Sequence, residues 1–214
     1  MPKKCKSWST EAIVTCPGSI KSKKDGVVEL VDACKGCYAT TGMYHMPNVK
    51  APRVHNKEDW KRKDWVGDMI TAITKDELFR WFDSGDAYDL RLVKKIKEVI
   101  EGTPTTKHWF PTRQHKFPKF AKMLAEIAEL PNAIVRLSSD SVTGGIIEGD
   151  NTSTIYSDEL PEGATMCGAY TRDGKCGDCR ACWDKTVKVI AYPAHGKKMA
   201  KVIRENIIRT IQLT

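Results

Sequence analysis

No run of apolar residues in this 214-residue chain approaches the ~20 that a membrane-spanning helix needs. The basic start, Met1-Pro2-Lys3-Lys4-Cys5, lacks the apolar stretch of a secretory signal, so the cytoplasm is the expected compartment. Histidine is scarce. His45, His55, His108, His115 and His195 form no pair at ligand spacing, which excludes a paired-histidine metal site. His45 lies close enough to one cysteine group to face it, and otherwise each histidine reads as an ordinary loop or core residue. There is no internal repeat and no low-complexity segment, so a solenoid or array is excluded. No basic run is long and no nucleic-acid motif occurs.

Cysteine is what the chain does have. Eight cysteines fall in two groups: Cys16, Cys34 and Cys37, with Cys5 upstream, and then Cys167, Cys176, Cys179 and Cys182. Thiols stay reduced in a cytoplasm, so clustered cysteines there bind metal more often than they form disulfides. A single zinc ion usually takes two separated pairs of ligands. The run Cys176-x2-Cys179-x2-Cys182 with a remote fourth thiol suits an iron–sulfur cube better. Two iron–sulfur clusters, [4Fe-4S] in type, are therefore expected. Structural zinc is the alternative at the second group, because Cys-x2-Cys also serves zinc. If Cys5 joins the first group, all irons there are closed by thiolate; if it is a bystander, the first group has three ligands and one open position.

Net charge is +8, with lysines concentrated at 3–24 and basic residues in the stretch 197–209. One reading is attraction to nucleic acid or a nucleotide. The other is solvated surface plus counter-charge, with Lys35, Arg172, Lys175 and Arg180 beside anionic clusters.

Hydrophobic residues make up 41% of the chain, enough for the core of one large or two small domains. Residues 1–55 are loop-rich, with short strands expected at Ala12–Val14 and Val27–Val31, each delivering a cysteine. From residue 58 helices and strands alternate. Val66, Met69, Ile70 and Ile73 predict one helix, Val93, Ile96 and Ile100 a second. Pro118 opens a third, carrying Phe120, Met123, Leu124, Ile127 and Leu130. Leu78–Phe82, His108–Phe110 and Ala133–Leu137 predict strands, each ending in polar residues. Trp81 and Trp109 on these strands read as core. Gly144–Thr154 reads as a loop, Val187–Tyr192 as a strand, and Met199–Ile207 as an amphipathic helix. The fold class expected is α/β: a partial (β/α) barrel or an open parallel sheet, whose C-terminal strand edge is where ligands bind. Residues 1–150 form the expected core with the first cluster, and 151–214 a segment carrying the second, packed on it.

Cys34-Lys35-Gly36-Cys37-Tyr38-Ala39 resembles the end of the radical S-adenosylmethionine (SAM) motif, Cys-x3-Cys-x2-Cys. That resemblance implies a three-cysteine cube whose open iron chelates SAM and drives its reductive cleavage to a radical, with the cofactor supplying the chemistry. It also implies cofactor contacts from Tyr38, Ser84, Gly85, Asp86, Arg113 and Ser138, and an electron donor such as flavodoxin or ferredoxin. Glycine at 85 would permit close backbone approach, and Asp86 could accept from an ammonium group. The plainer alternatives are a helix N-cap for Asp86 and a surface ion pair for Arg113. Two departures stand out: a long insertion separates Cys16 from Cys34, and Gly36 replaces the usual aromatic before the last cysteine.

Over most of its length the chain further resembles the phage gene product 88 family of small radical-SAM-like proteins. The shared features are Cys5-Lys6-Ser7-Trp8, Cys16-Pro17-Gly18, Phe79-Arg80-Trp81, Trp109-Phe110-Pro111-Thr112-Arg113, Arg136-Leu137-Ser138 and Cys176-Gly177-Asp178-Cys179-Arg180-Ala181-Cys182-Trp183. The resemblance implies the host cytoplasm as location. It leaves three functions open: a radical-SAM-type enzyme with unknown substrate, a non-catalytic iron–sulfur protein, or a zinc-stabilised nucleic-acid-binding module.

Overall fold

The computed structural model describes residues 1–2 and 5–213, with side chains through residue 208. Lys3, Lys4 and the side chain of Arg209, part of the basic excess, lie outside the described residues. In chain order the elements are β1 (Lys6–Trp8), β2 (Ile20–Lys24), β3 (Val27–Leu30), α1 (Asp32–Lys35), α2 (Pro47–Asp59), α3 (Trp65–Ile73), β4 (Leu78–Trp81), α4 (Leu90–Glu101), β5 (Lys107–Thr112), α5 (Pro118–Ala128), β6 (Ala133–Ser138), β7 (Thr152–Tyr156), β8 (Thr165–Met166), β9 (Val189–Pro193) and α6 (Lys197–Leu213).

Seven strands form one sheet in the order β1-β4-β5-β6-β7-β9-β8, and every pairing in it is parallel. Strand order follows chain order from β1 to β7, so the connections step in one direction. Right-handed crossovers then place their helices on one face of the sheet. The sheet is open, with β1 and β8 at its edges. The α/β class and the parallel sheet are as the sequence predicts, and no barrel closes.

Alternation along the strands divides the sheet into two faces. Phe79 and Trp81 of β4, Phe110 of β5 and Val135 of β6 point to the helical side. There they pack with Ile73 of α3, Leu92, Val93, Ile96 and Ile100 of α4, and Leu124 and Ile127 of α5. The apolar positions of α4 recur every three to four residues, and Asp89 caps the helix by accepting from Arg91 N at 2.8 Å. The other face carries Leu78, Trp109 and Ile134, covered by Trp183 from the second cysteine segment.

Three local expectations are corrected, and a fourth, the strand at Val27–Val31, is met. Ala12–Val14 is a turn rather than a strand, with Ile13 at φ 68°. The strand Val27–Leu30 does form, but it pairs only with β2, in an antiparallel hairpin apart from the main sheet. Asp25 and Gly26, both at positive φ, connect its strands. The stretch read as a loop to Thr154 becomes strand β7 from Thr152. The N-cap reading of Asp86 fails, because Asp89 holds that place.

Candidate functional site

The loops leaving the C-terminal ends of the parallel strands converge on one cavity of about 690 Å³. The segment after β1 brings Cys16, that after β4 brings Ser84 and Asp86, that after β5 brings Arg113, and Cys167 follows β8 directly. Cys34, Cys37, Cys176 and Cys182 also line it, so six of the eight thiols share a single chamber. The sequence predicted two cysteine groups but gave no sign that they would face one space.

Cys34 and Cys37 stand near enough to raise the proton affinity of Cys16, and Cys37 that of Cys34. Burial is the main cause of the upward shift in all three, and Arg113 pulls Cys34 and Cys37 partly back. The surrounding backbone is tightly fitted. A Cβ on Gly18 would lie 2.6 Å from the Arg113 carbonyl oxygen, so glycine lets the Cys16 loop touch the end of β5. Gly36, anomalous in the sequence, is explained by α6: a Cβ there would fall 2.5 Å from Met199 Cε. Lys198 Nζ donates to Thr40 Oγ1 at 2.6 Å, so α6 covers the first thiol loop.

The second group is fastened to the inner face of the sheet by Arg136. Its guanidinium, fully buried, donates to the carbonyl oxygens of Ala181 (2.8 Å), Cys182 (3.3 Å), Asp184 (2.9 Å) and Val187 (2.9 Å). Trp183 Nε1 donates to the Phe79 carbonyl at 3.0 Å, and its ring meets Trp109 edge-on at 5.2 Å. Arg172 and Arg180, expected as cluster counter-charges, donate to carbonyls of their own loop, among them those of Cys176 and Cys179. Cys179 is exposed and lies outside the cavity wall.

Cys5 belongs with the second group rather than the first. It packs with Cys182 against Leu78, Trp109, Ile134 and Trp183. Burial raises its thiol to about 11, and the one cysteine that adds to that shift is Cys176. The first group therefore keeps three thiols.

The strand-end residues are placed as the sequence predicted, at the cavity, but several are engaged within the protein. Ser84 Oγ donates to the Thr10 carbonyl and accepts from Arg53 Nε. Gly85, at φ +76°, would place a Cβ 2.1 Å from Thr10 Oγ1, so its close approach is to the β1 loop. Asp86 accepts from Ala87 N, Thr112 Oγ1 and Arg113 N, all between 2.8 and 2.9 Å. Burial nonetheless pushes its carboxyl up to about 6, against the pull of those donors. Arg113 donates to the Ser139 carbonyl and lies 3.4 Å from Asp140, an ion pair. Tyr38 donates to the Asp83 carbonyl at 2.6 Å, and Ser138 accepts from Ser153 at 3.4 Å. His45 is exposed, bonded to the Thr40 carbonyl, and outside the cavity wall.

Sequence reasoning missed three arginines. Arg53 of α2 pairs with Asp83 at 2.8 Å and ties α2 to the loop after β4. Arg136 pins the second cysteine segment. Arg80 of β4 stands in the cavity wall and acts on the Cys5 and Cys182 thiols. Phe79-Arg80-Trp81 offered a signal: a charge inside an apolar strand must meet a partner or a ligand.

Two sets of soft sulfur donors on one chamber suit a thiophilic metal or an iron–sulfur cluster. As placed, no three His, Cys, Asp or Glu among the described residues form a group able to hold a metal ion.

These features define an open parallel α/β protein with a thiol-lined cavity at the C-terminal strand edge. The chain belongs to the Gene product 88 family, whose sequence profile matches residues 2–185. It matches no curated protein and no solved structure. Among the described residues no helix is long and apolar enough to cross a membrane.

Proposed function

We propose that this chain is an iron–sulfur protein of radical-SAM type. In this reading Cys16, Cys34 and Cys37 hold a three-thiolate cluster, and Cys167, Cys176 and Cys182, with Cys5 or Cys179, hold a second. The observation that carries it is the meeting of six thiols from chain-distant segments in one cavity at the strand edge. A cluster bound there would supply one-electron chemistry. The protein's own residues set the conditions. Arg113 offsets negative charge at Cys34 and Cys37. Asp86 braces the ends of β4 and β5, and α6 covers the Cys34–Cys37 loop. The relocation of Cys5 leaves the first set one ligand short of closure, which suits a site that chelates a small molecule.

Anaerobic purification tests the reading. Brown protein with iron and labile sulfide is expected, losing about half its iron when Cys16, Cys34 and Cys37 are replaced by alanine, as one of two Cys-ligated clusters would. Dithionite-reduced protein with SAM is expected to release 5′-deoxyadenosine. Colourless protein containing only zinc would overturn the proposal. A second reading, a cluster protein without SAM cleavage, is favoured by the engagement of Ser84 and Asp86 in internal hydrogen bonds. Intact clusters whose EPR signal ignores SAM would select it.

A further inference from the structure

We propose that Arg80 anchors a small planar-ring anion, an aryl carboxylate or aryl phosphate, in the cavity between the two thiol sets. Arg80 projects from β4 on the face opposite Phe79 and Trp81, into the chamber. Its Nε is buried and has no acceptor among the described residues. The guanidinium carbon lies over the Trp109 ring, 4.4 Å from its centroid. Among the described residues the side chain's one hydrogen bond is a long one, 3.4 Å, to Tyr38 Oη.

The nearby carboxylates are already matched, and Arg80 also lowers the proton affinity of the Cys5 and Cys182 thiols. Asp83, a carboxylate that acts on Arg80, is held by Arg53 at 2.8 Å. Arg113 pairs with Asp140. Arg80 is the cavity-wall arginine without a carboxylate of its own among the described residues. A guanidinium whose Nε is buried without an acceptor among the described residues is costly unless an anion joins it. The planar fork of guanidinium matches the two oxygens of a carboxylate or phosphate.

The rest of the wall suits a flat ring. Tyr38, Tyr44, Tyr170, Tyr192 and His195 line the chamber, with Tyr170 and His195 only 4.4 Å apart. Aromatic walls favour offset or edge contacts with a bound ring. The volume, about 690 Å³, falls in the usual small-molecule range of about 300–1,000 Å³. The proposal goes beyond the cluster reading and does not depend on it, since it needs only Arg80, the aromatic wall and the space between.

Calorimetric titration of the full chain, with iron content measured beforehand, tests it. The probes are benzoate and phenyl phosphate, with benzamide as the neutral ring. At least one anion is expected to bind tenfold or more tightly than benzamide. Arg80→Gln is expected to erase that preference, and Arg80→Lys to keep part of it. Equal affinity for charged and neutral probes, no binding of either anion, or a preference that survives Arg80→Gln would each overturn the assignment. If Arg80→Gln does not fold, phenylglyoxal labelling of the unaltered protein decides. Slower labelling of Arg80 under saturating anion supports the site, and an unchanged rate sinks it. Iron-free protein that still prefers the anion removes the cluster reading alone; iron-loaded protein without the preference removes this one alone.

Discussion

At the residue scale, Arg136 joins β6 to four carbonyls of residues 181–187. Replacing it with methionine leaves those buried acceptors without donors. Urea denaturation is expected to show a loss of about 3 kcal/mol or more, accompanied by faster proteolysis within 181–187. Gly85→Ala combines a positive φ with a clash on Thr10, and a loss of at least about 2 kcal/mol is expected from the same measurement. His108 gives a pH signature remote from the thiols. It is buried, its Nε2 lies 2.9 Å from Thr103 Oγ1, and its Nδ1 has no partner among the described residues. Burial lowers its pKa from 6.5 to about 4. The unfolded chain therefore binds this proton first. The stability tied to neutral His108 is complete above pH 6.5 and drains away as pH falls towards 4, by about 3 kcal/mol in all. His108→Gln is expected to flatten that part of the pH–stability curve; an unchanged slope would refute the assignment.

At the scale of elements, legibility followed hydropathy. β4, β5 and β6 announced themselves as apolar runs, and α3, α4 and α5 as periodic stripes, because each buries carbon against a sheet or helix. β7 escaped because its buried residues are Thr152, Ser153 and Thr154, polar groups that serve the sheet and the loops beside it. α2 escaped because it buries no residue and has Pro52 within it. β1 is three residues long, and its place beside β4 is a long-range fact. The seat of α6 on the Cys34–Cys37 loop was equally hidden, although Gly36 was visibly odd. Met199→Ala opens a void there, and a loss of about 2–4 kcal/mol is expected by thermal or urea unfolding, with faster alkylation of Cys34. Unchanged Cys34 reactivity would show that the helix does not shield the loop.

At the scale of the whole molecule, the site was legible as a set of residue types but not as a place. Both cysteine groups and the polar strand ends were readable from the chain. Their union in one cavity, the placement of Cys5 with Cys176 and Cys182, and Arg80 in the cavity wall depend on contacts far apart in sequence. Reduced, metal-free protein offers a direct check of this geography. Timed alkylation with mass spectrometry is expected to find Cys179 first, being exposed, and Cys16 and Cys34 last, their thiols held protonated by burial. Metal uptake must displace those protons, so it is expected to strengthen steeply as pH rises.

The covering of the first thiol loop by α6 also has a bearing on biosynthesis. The ribosome releases the N-terminal cysteines long before the segment carrying Met199. If the proposed clusters are loaded, a nascent chain still lacking that segment would leave Cys34 and Cys37 open to delivery, and the later arrival of α6 would cover the loop.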